Sequence, residues 1–205
     1  MKKITHITPR YFFSRVNTWY YYKLHPNEPW LTQDAIKILD NLLSKNDVGI
    51  DFGSGRSTSW FAERLKKLYS IEGNKGWYDK VNHVITKSGF NNIEYQYIKN
   101  ENASPEYSSD YLKVYEKEAS FDFVLVDGIY RYEAADMAID KLQSGGLLVI
   151  DNCNWFLASN SNSPTSVPST AEQDKEWSSF NTKTEQWRRI WTSNGVTDTL
   201  ILIKP

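Results

Sequence analysis

Acidic residues at the ends of apolar runs carry the chemistry that can be read in this chain. The first is Asp51, which follows Val48-Gly49-Ile50 and leads into Phe52-Gly53-Ser54-Gly55-Arg56-Ser57. Two glycines let a backbone turn sharply beside a ligand, and a helix opening at Ser57 or Thr58 aims its free N–H groups at the same spot. Glu72 ends a second short strand pattern, Leu68 to Glu72, where a carboxylate can accept both hydroxyls of a ribose. This predicts a nucleotide-type cofactor pocket held by Asp51, Gly53, Ser54, Gly55, Ser57, Glu72 and Asn74. A dinucleotide fingerprint G-x-G-x-x-G requires glycine at position 58, and the chain has Thr58 there.

The second loaded stretch is Phe121 to Tyr132, continuing at Gly145 to Asn152. Both of its apolar runs end in Asp, at Asp127 and Asp151. In a parallel sheet with these two strands adjacent, about 4.8 Å apart, the carboxylates emerge close together at the ligand-binding edge. Two such charges repel unless they are neutralised. A divalent cation held by Asp127, Asp151 and the amide oxygen of Asn152 would do so. In the alternative reading, Asp127 orients the cofactor and Asp151 caps a turn.

The elements that must position these residues follow from periodicity. Leu31–Leu43 places Ile36, Leu39, Leu42 and Leu43 on one helical face, with Thr32 as N-cap. After the glycine turn the expected order is helix Ser57–Lys67, strand Leu68–Glu72, helix Gly76–Ser88 and strand Asn92–Ile98. A helix at Tyr107–Lys117, strand Phe121–Asp127, helix Tyr132–Leu142 and strand Leu147–Asp151 continue the alternation. Trp187–Thr192 and Thr197–Ile203 flank Ser193-Asn194-Gly195 as a hairpin. The alternation implies an α/β fold, a doubly wound, mostly parallel seven-stranded sheet finished by an antiparallel pair.

Two segments stand outside this scheme. Residues 1–30 are crowded with aromatics and show no clean period. They read as packing against the sheet, as a homodimer surface or as an aromatic cap over substrate. Residues 157–171, rich in Ser, Asn and Pro, read as a tether or a mobile lid. At 205 residues the chain suits one domain: an aromatic cap and leading helix at 1–45, a core at 46–155, a loop at 156–186 and a terminal hairpin at 187–205.

Charge and composition narrow the partners. With 24 basic and 25 acidic residues, the balance favours a small-molecule substrate, with neither nucleic acid nor membrane expected. One cysteine, Cys153, allows no internal disulfide, and no spanning or leader segment is evident, so a cytoplasmic setting is expected. His6, His25 and His83 are scattered without zinc-ligand spacing. Trp77 is placed to cover an adenine or to plug a helix–sheet interface. Ile98, Lys99 and Asn100 are candidates for contacts to an adenine edge.

Residues 48–152 resemble the class I S-adenosylmethionine-dependent methyltransferases, through the acid-x-G-x-G turn at Asp51–Gly55 and the acid at Glu72. The pair Asp127 and Asp151-Asn152, with Trp155, resembles the metal site of cation-dependent O-methyltransferases of the catechol and caffeoyl-CoA type. The segment Val126–Glu133 is similar to the D-G-x-H-x-Y pattern of macrocin-type sugar O-methyltransferases, with Tyr130 in place of the histidine. The lysine that follows the first metal Asp in catechol-type enzymes is also absent, with Tyr130 in its place and Arg131 beside it. The resemblance implies S-adenosylmethionine as cofactor, bound in part by Asp127, and Mg²⁺ or Mn²⁺ at Asp127, Asp151 and Asn152. It also implies a small-molecule hydroxyl as methyl acceptor, with Asp127, Tyr130 and Arg131 as catalytic candidates.

Overall fold

The computed structural model describes residues 8–99 and 105–205. Helix α1 (Pro9–Leu24) forms where the aromatic run showed no period: Thr8 caps it by accepting from Tyr11 N at 3.1 Å, and Pro9 suits a first turn that has no partner for its N–H. Helix α2 (Gln33–Leu42) lies inside the expected span and buries Ala35, Ile36 and Leu39. Thr32 stands at its N-cap position, but its hydroxyl contacts Thr192 and caps no helical N–H.

Strand β1 (Val48–Phe52) then opens the alternation with α3 (Arg56–Ala62), β2 (Lys67–Glu72), α4 (Lys75–Ser88) and β3 (Ile93–Tyr97). Helix α5 (Pro105–Leu112) and a short 3₁₀ turn lead to β4 (Phe121–Val126), α6 (Arg131–Lys141) and β5 (Leu142–Asp151). Two-residue strands β6 (Ala158–Ser159) and β7 (Val167–Pro168) pair with each other, and α7 (Lys175–Lys183), β8 (Arg188–Ser193) and β9 (Asp198–Ile203) complete the chain. Helix α3 is shorter than its pattern suggested, because Arg64 and Leu65 already turn toward β2. Helix α7 was hidden in a segment read as loop. Its polar composition masks an inward pair, Trp177 and Phe180, at helical spacing.

The described residues form a seven-stranded sheet in the order β3-β2-β1-β4-β5-β9-β8, parallel except at β9, which is antiparallel to both of its neighbours. Alternating side chains load the two faces. Ile50, Phe52, Val124, Val126, Leu148 and Ile150 meet α5, α6 and α7 on one side. Leu68, Phe123, Leu125, Leu147, Val149 and Ile201 meet α2 and α3 on the other. Strand order reverses between β1 and β4, so a crevice opens above their carboxyl ends. Among the described residues no helix is long and apolar enough to cross a membrane.

Candidate active site

A cavity of about 540 Å³ occupies that crevice. Gly53, Ser54, Gly55, Ser57, Glu72, Asn74 and Asp127 all line it, so most of the predicted cofactor residues come together. The turn requires Gly53 twice over. Its φ is +102°, and a Cβ there would lie 2.7 Å from Gly128 N, inside the loop after β4. Asp51 lies beneath the turn, fully buried, and one carboxylate oxygen accepts from Thr58 at 2.7 Å and from Ser57 and Ser70 at 3.3 Å. Thr58 also accepts from Gly55 N at 3.1 Å. The residue that breaks the dinucleotide fingerprint is therefore the one that ties the glycine turn to Asp51.

The other oxygen of Asp51, Oδ1, is buried without a partner. Burial pushes this carboxyl up to about 7, opposed by its hydroxyl donors and reinforced by Asp127. Glu72 is held at the tip of β2: Asn74 N donates to Oε1 at 2.8 Å and the Ser54 hydroxyl to Oε2 at 2.8 Å. Each carboxylate oxygen keeps a lone pair for a ligand hydroxyl. Asn74 also caps α4, its Oδ1 accepting from Trp77 N at 2.9 Å. Trp77 forms a wall of the cavity, donating from Nε1 to Ser54 O at 2.6 Å and stacking on Trp30. An orphaned acceptor, a close-approach glycine and a fixed carboxylate at the tip of β2 fit a cationic nucleoside such as S-adenosylmethionine.

The predicted metal triad is built differently. Asp127, Asp151 and Asn152 do converge, but the guanidinium of Arg131 sits among them. Its Nη2 donates to Asp127 Oδ1 and Asp127 O at 3.0 Å and to Asn152 Oδ1 at 3.2 Å, and Nη1 donates to Asp151 O. Nε reaches Gly128 O at 3.0 Å, so all three nitrogens of the fork are engaged, and only 14 % of the side chain is exposed. Asp151 is buried and accepts from the Thr199 hydroxyl at 2.9 Å, while Asn152 donates to Thr197 at 2.6 Å. Among the described residues no group of three or more His, Cys, Asp or Glu is placed to hold a metal ion. The expected Mg²⁺ or Mn²⁺ site is not shown: an arginine one helical turn beyond Asp127 supplies the positive charge that two adjacent acids demand, and its donors occupy Asp127 Oδ1 and Asn152 Oδ1, two of the oxygens a cation would use.

Burial pushes Asp127 and Asp151 up, reinforced by Glu72 at the first and by Asp127 at the second, and Arg131 pulls both down. Backbone strain concentrates here. Tyr130 and Asn152, the residues following the two loops' first turns, hold φ of +52° and +50°. Tyr130 packs its ring on Tyr111 against the core cluster at the entry of α6. Arg131 spends its donors within the protein, on Asp127, Gly128, Asp151 and Asn152.

Sequence reasoning missed Pro29, Trp30 and Leu31, which close the cavity from the connection after α1, and Tyr111 and Ile129 on its other side. The only available signal was the aromatic crowding before α2. Ile98 packs toward the core, Lys99 is exposed, and Asn100 and His6 lie outside the described residues. His83 is exposed on α4, and Cys153 is buried in the core with its thiol pushed up by burial, as a packing residue would be.

No protein-family model matches the sequence, and no curated protein matches it. Solved structures do. A caffeoyl-CoA O-methyltransferase-like protein of Staphylococcus aureus aligns with a TM-score of 0.59 at 15 % identity, over 93 % of this chain and 100 % of the other. An rRNA methylase of Streptococcus thermophilus aligns with a TM-score of 0.54 at 16 % identity, over 82 % and 92 %. A methyltransferase-like protein of Streptococcus mutans, solved in complex with SAH, aligns at 0.51 and 11 % identity, over 82 % and 94 %. The architecture is the Rossmann-like methyltransferase fold.

Proposed function

We propose that this chain is an S-adenosylmethionine-dependent methyltransferase acting on a hydroxyl of a small molecule, and that it works without a divalent cation. The observation that carries this reading is the cavity at the β1/β4 switch point, with Gly53 pressed on the Gly128 loop and Glu72 held in place at the end of β2. When bound, S-adenosylmethionine supplies a methyl group already activated on a sulfonium. Glu72 accepts the ribose hydroxyls, Asp51 contributes negative charge under the glycine turn, and the Trp30–Trp77 pair excludes water from one side. Asp127 borders the same cavity with its side chain 30 % exposed. Its carboxylate, raised by burial yet held by Arg131, takes the acceptor's hydroxyl proton as the oxygen gains the methyl and the C–S bond breaks.

Calorimetric titration with S-adenosylhomocysteine tests the cofactor assignment. Gly53→Val forces a branched side chain into the Gly128 backbone and abolishes binding. Glu72→Ala removes a charged hydrogen-bond acceptor and weakens binding by about 1.5–3 kcal/mol. Unchanged affinity in both variants overturns the assignment.

A further inference from the structure

Helix α1 turns its large apolar side chains away from the protein. The residues it turns toward the protein are Tyr11, Ser14, Thr18, Tyr21 and Tyr22, and of these only Thr18 is buried. Phe12, Phe13, Val16, Trp19, Tyr20 and Leu24 face outward, 47 to 71 % exposed, and are six of the ten exposed large apolar side chains among the described residues. Their spacing, i, i+1, i+4, i+7, i+8 and i+12, is one continuous stripe. Exposed aromatics carry about 150–250 Å² each at full exposure, so the stripe is on the order of 700 Å², beyond the patch a monomer ordinarily leaves in water.

Charge selects the occupant. The chain has five basic residues and no acid before Glu28, although its overall charge is −1. On α1, Arg10 and Arg15 flank the stripe on opposite sides, and Lys23 lies over the Trp19 ring at 4.5 Å. Two copies packed antiparallel through this face would bring Arg10 of each toward Lys23 of the other, with no carboxylate on the helix to pair with them. An aromatic and aliphatic stripe on a helix whose charged residues are all basic suits a plane of anionic headgroups over acyl chains, with the rings at headgroup depth and the basic side chains reaching phosphate. We infer that α1 docks this protein on an anionic lipid surface, lying in the plane of the interface. The segment that follows it runs directly into Pro29–Leu31, the wall of the cavity.

The test is flotation of the full chain with vesicles of phosphatidylcholine alone and of phosphatidylcholine mixed with phosphatidylglycerol. The expected result is binding to the mixed vesicles, little to the neutral ones, and weakening by added salt. Phe13→Ser with Trp19→Ser lowers partitioning by more than about tenfold. Arg10→Gln with Arg15→Gln, which alters only exposed side chains, lowers it by about fivefold per residue removed. Thermal unfolding of both variants stays near the parent's. The inference is overturned by absence of binding to mixed vesicles, by binding that ignores these substitutions, by a dimer in sedimentation that the stripe variant dissolves, or by single-stranded RNA competing the chain off the vesicles.

Discussion

At the residue scale, Arg131 decides how the acidic edge works. Five hydrogen bonds from one guanidinium bind Asp127, Gly128, Asp151 and Asn152 into a single unit, and the αL conformations of Tyr130 and Asn152 bring the two loops to it. Because Arg131 lowers the Asp127 carboxyl against the rise caused by burial, its removal moves the acid limb of the pH–rate profile upward. Arg131→Met therefore loses activity most steeply at low pH, whereas Arg131→Lys keeps the charge, forfeits the fork and retains part of the activity. EDTA leaves the parent enzyme's rate unchanged. A rate abolished by EDTA and restored by Mg²⁺ contradicts this arrangement, while leaving the cofactor pocket untouched.

At the element scale, the segment between β5 and α7, whose composition suggested a tether or a lid, is hydrogen-bonded to the body of the protein. Ser163 is buried, and its hydroxyl donates to Asp198 Oδ1 at 2.6 Å, while Trp191 Nε1 holds Oδ2 at 2.8 Å. Asn154 donates to Pro164 O and Ser166 Oγ at 3.1 Å, and β6 pairs with β7 across the loop's base. Ser163→Ala leaves a buried carboxylate oxygen without this donor, at a cost of about 1–3 kcal/mol. In a domain of this size the melting temperature falls by about 2–4 °C for each kcal/mol, which calorimetry reads directly. Deleting Ser159–Thr170 lowers it further, because Asp198 and Asn154 lose partners together. An unchanged melting temperature in both proteins means that the loop is detachable.

At the scale of the whole molecule, buried carboxylates shape stability. Asp51, Asp127 and Asp151 are all raised in the folded chain, chiefly by desolvation, and Asp51 reaches about 7. Between the unfolded value near 4 and the folded one, the native state holds protons that the unfolded chain has released. Stability of the ligand-free protein is therefore greatest at the acid end of that window and declines as pH rises toward about 7. Asp51→Asn, which keeps an oxygen for Ser57, Thr58 and Ser70, flattens this decline in melting scans across pH. A parallel decline in the variant excludes Asp51 as its source. The same scale explains why a near-neutral total hid the basic N-terminal run: counting charge over the chain averages five cations at one end against acids elsewhere.

Alternating apolar runs, the glycine turn and the strand-end acids were enough to derive the mostly parallel sheet and the crevice that the glycine turn and Glu72 line, because these are local patterns with one way to satisfy backbone hydrogen bonds and burial. The convergence of Asp127, Asp151 and Asn152 also followed, since neighbouring parallel strands must end side by side. What fills the space between them did not, because a guanidinium and a metal ion answer the same charge and only the path of the Arg131 side chain distinguishes them. Helix α1 was equally closed to inspection. Its apolar stripe reads as buried by every composition rule, and the decision to face it outward depends on which of its two faces the edge of the sheet accepts. Ser14, Thr18 and the tyrosines Tyr11, Tyr21 and Tyr22 take that side, with Ser14 close against the Gly195 turn, and the larger apolar stripe is left facing away. Such choices rest on shape complementarity between segments far apart in the chain, which no local pattern encodes.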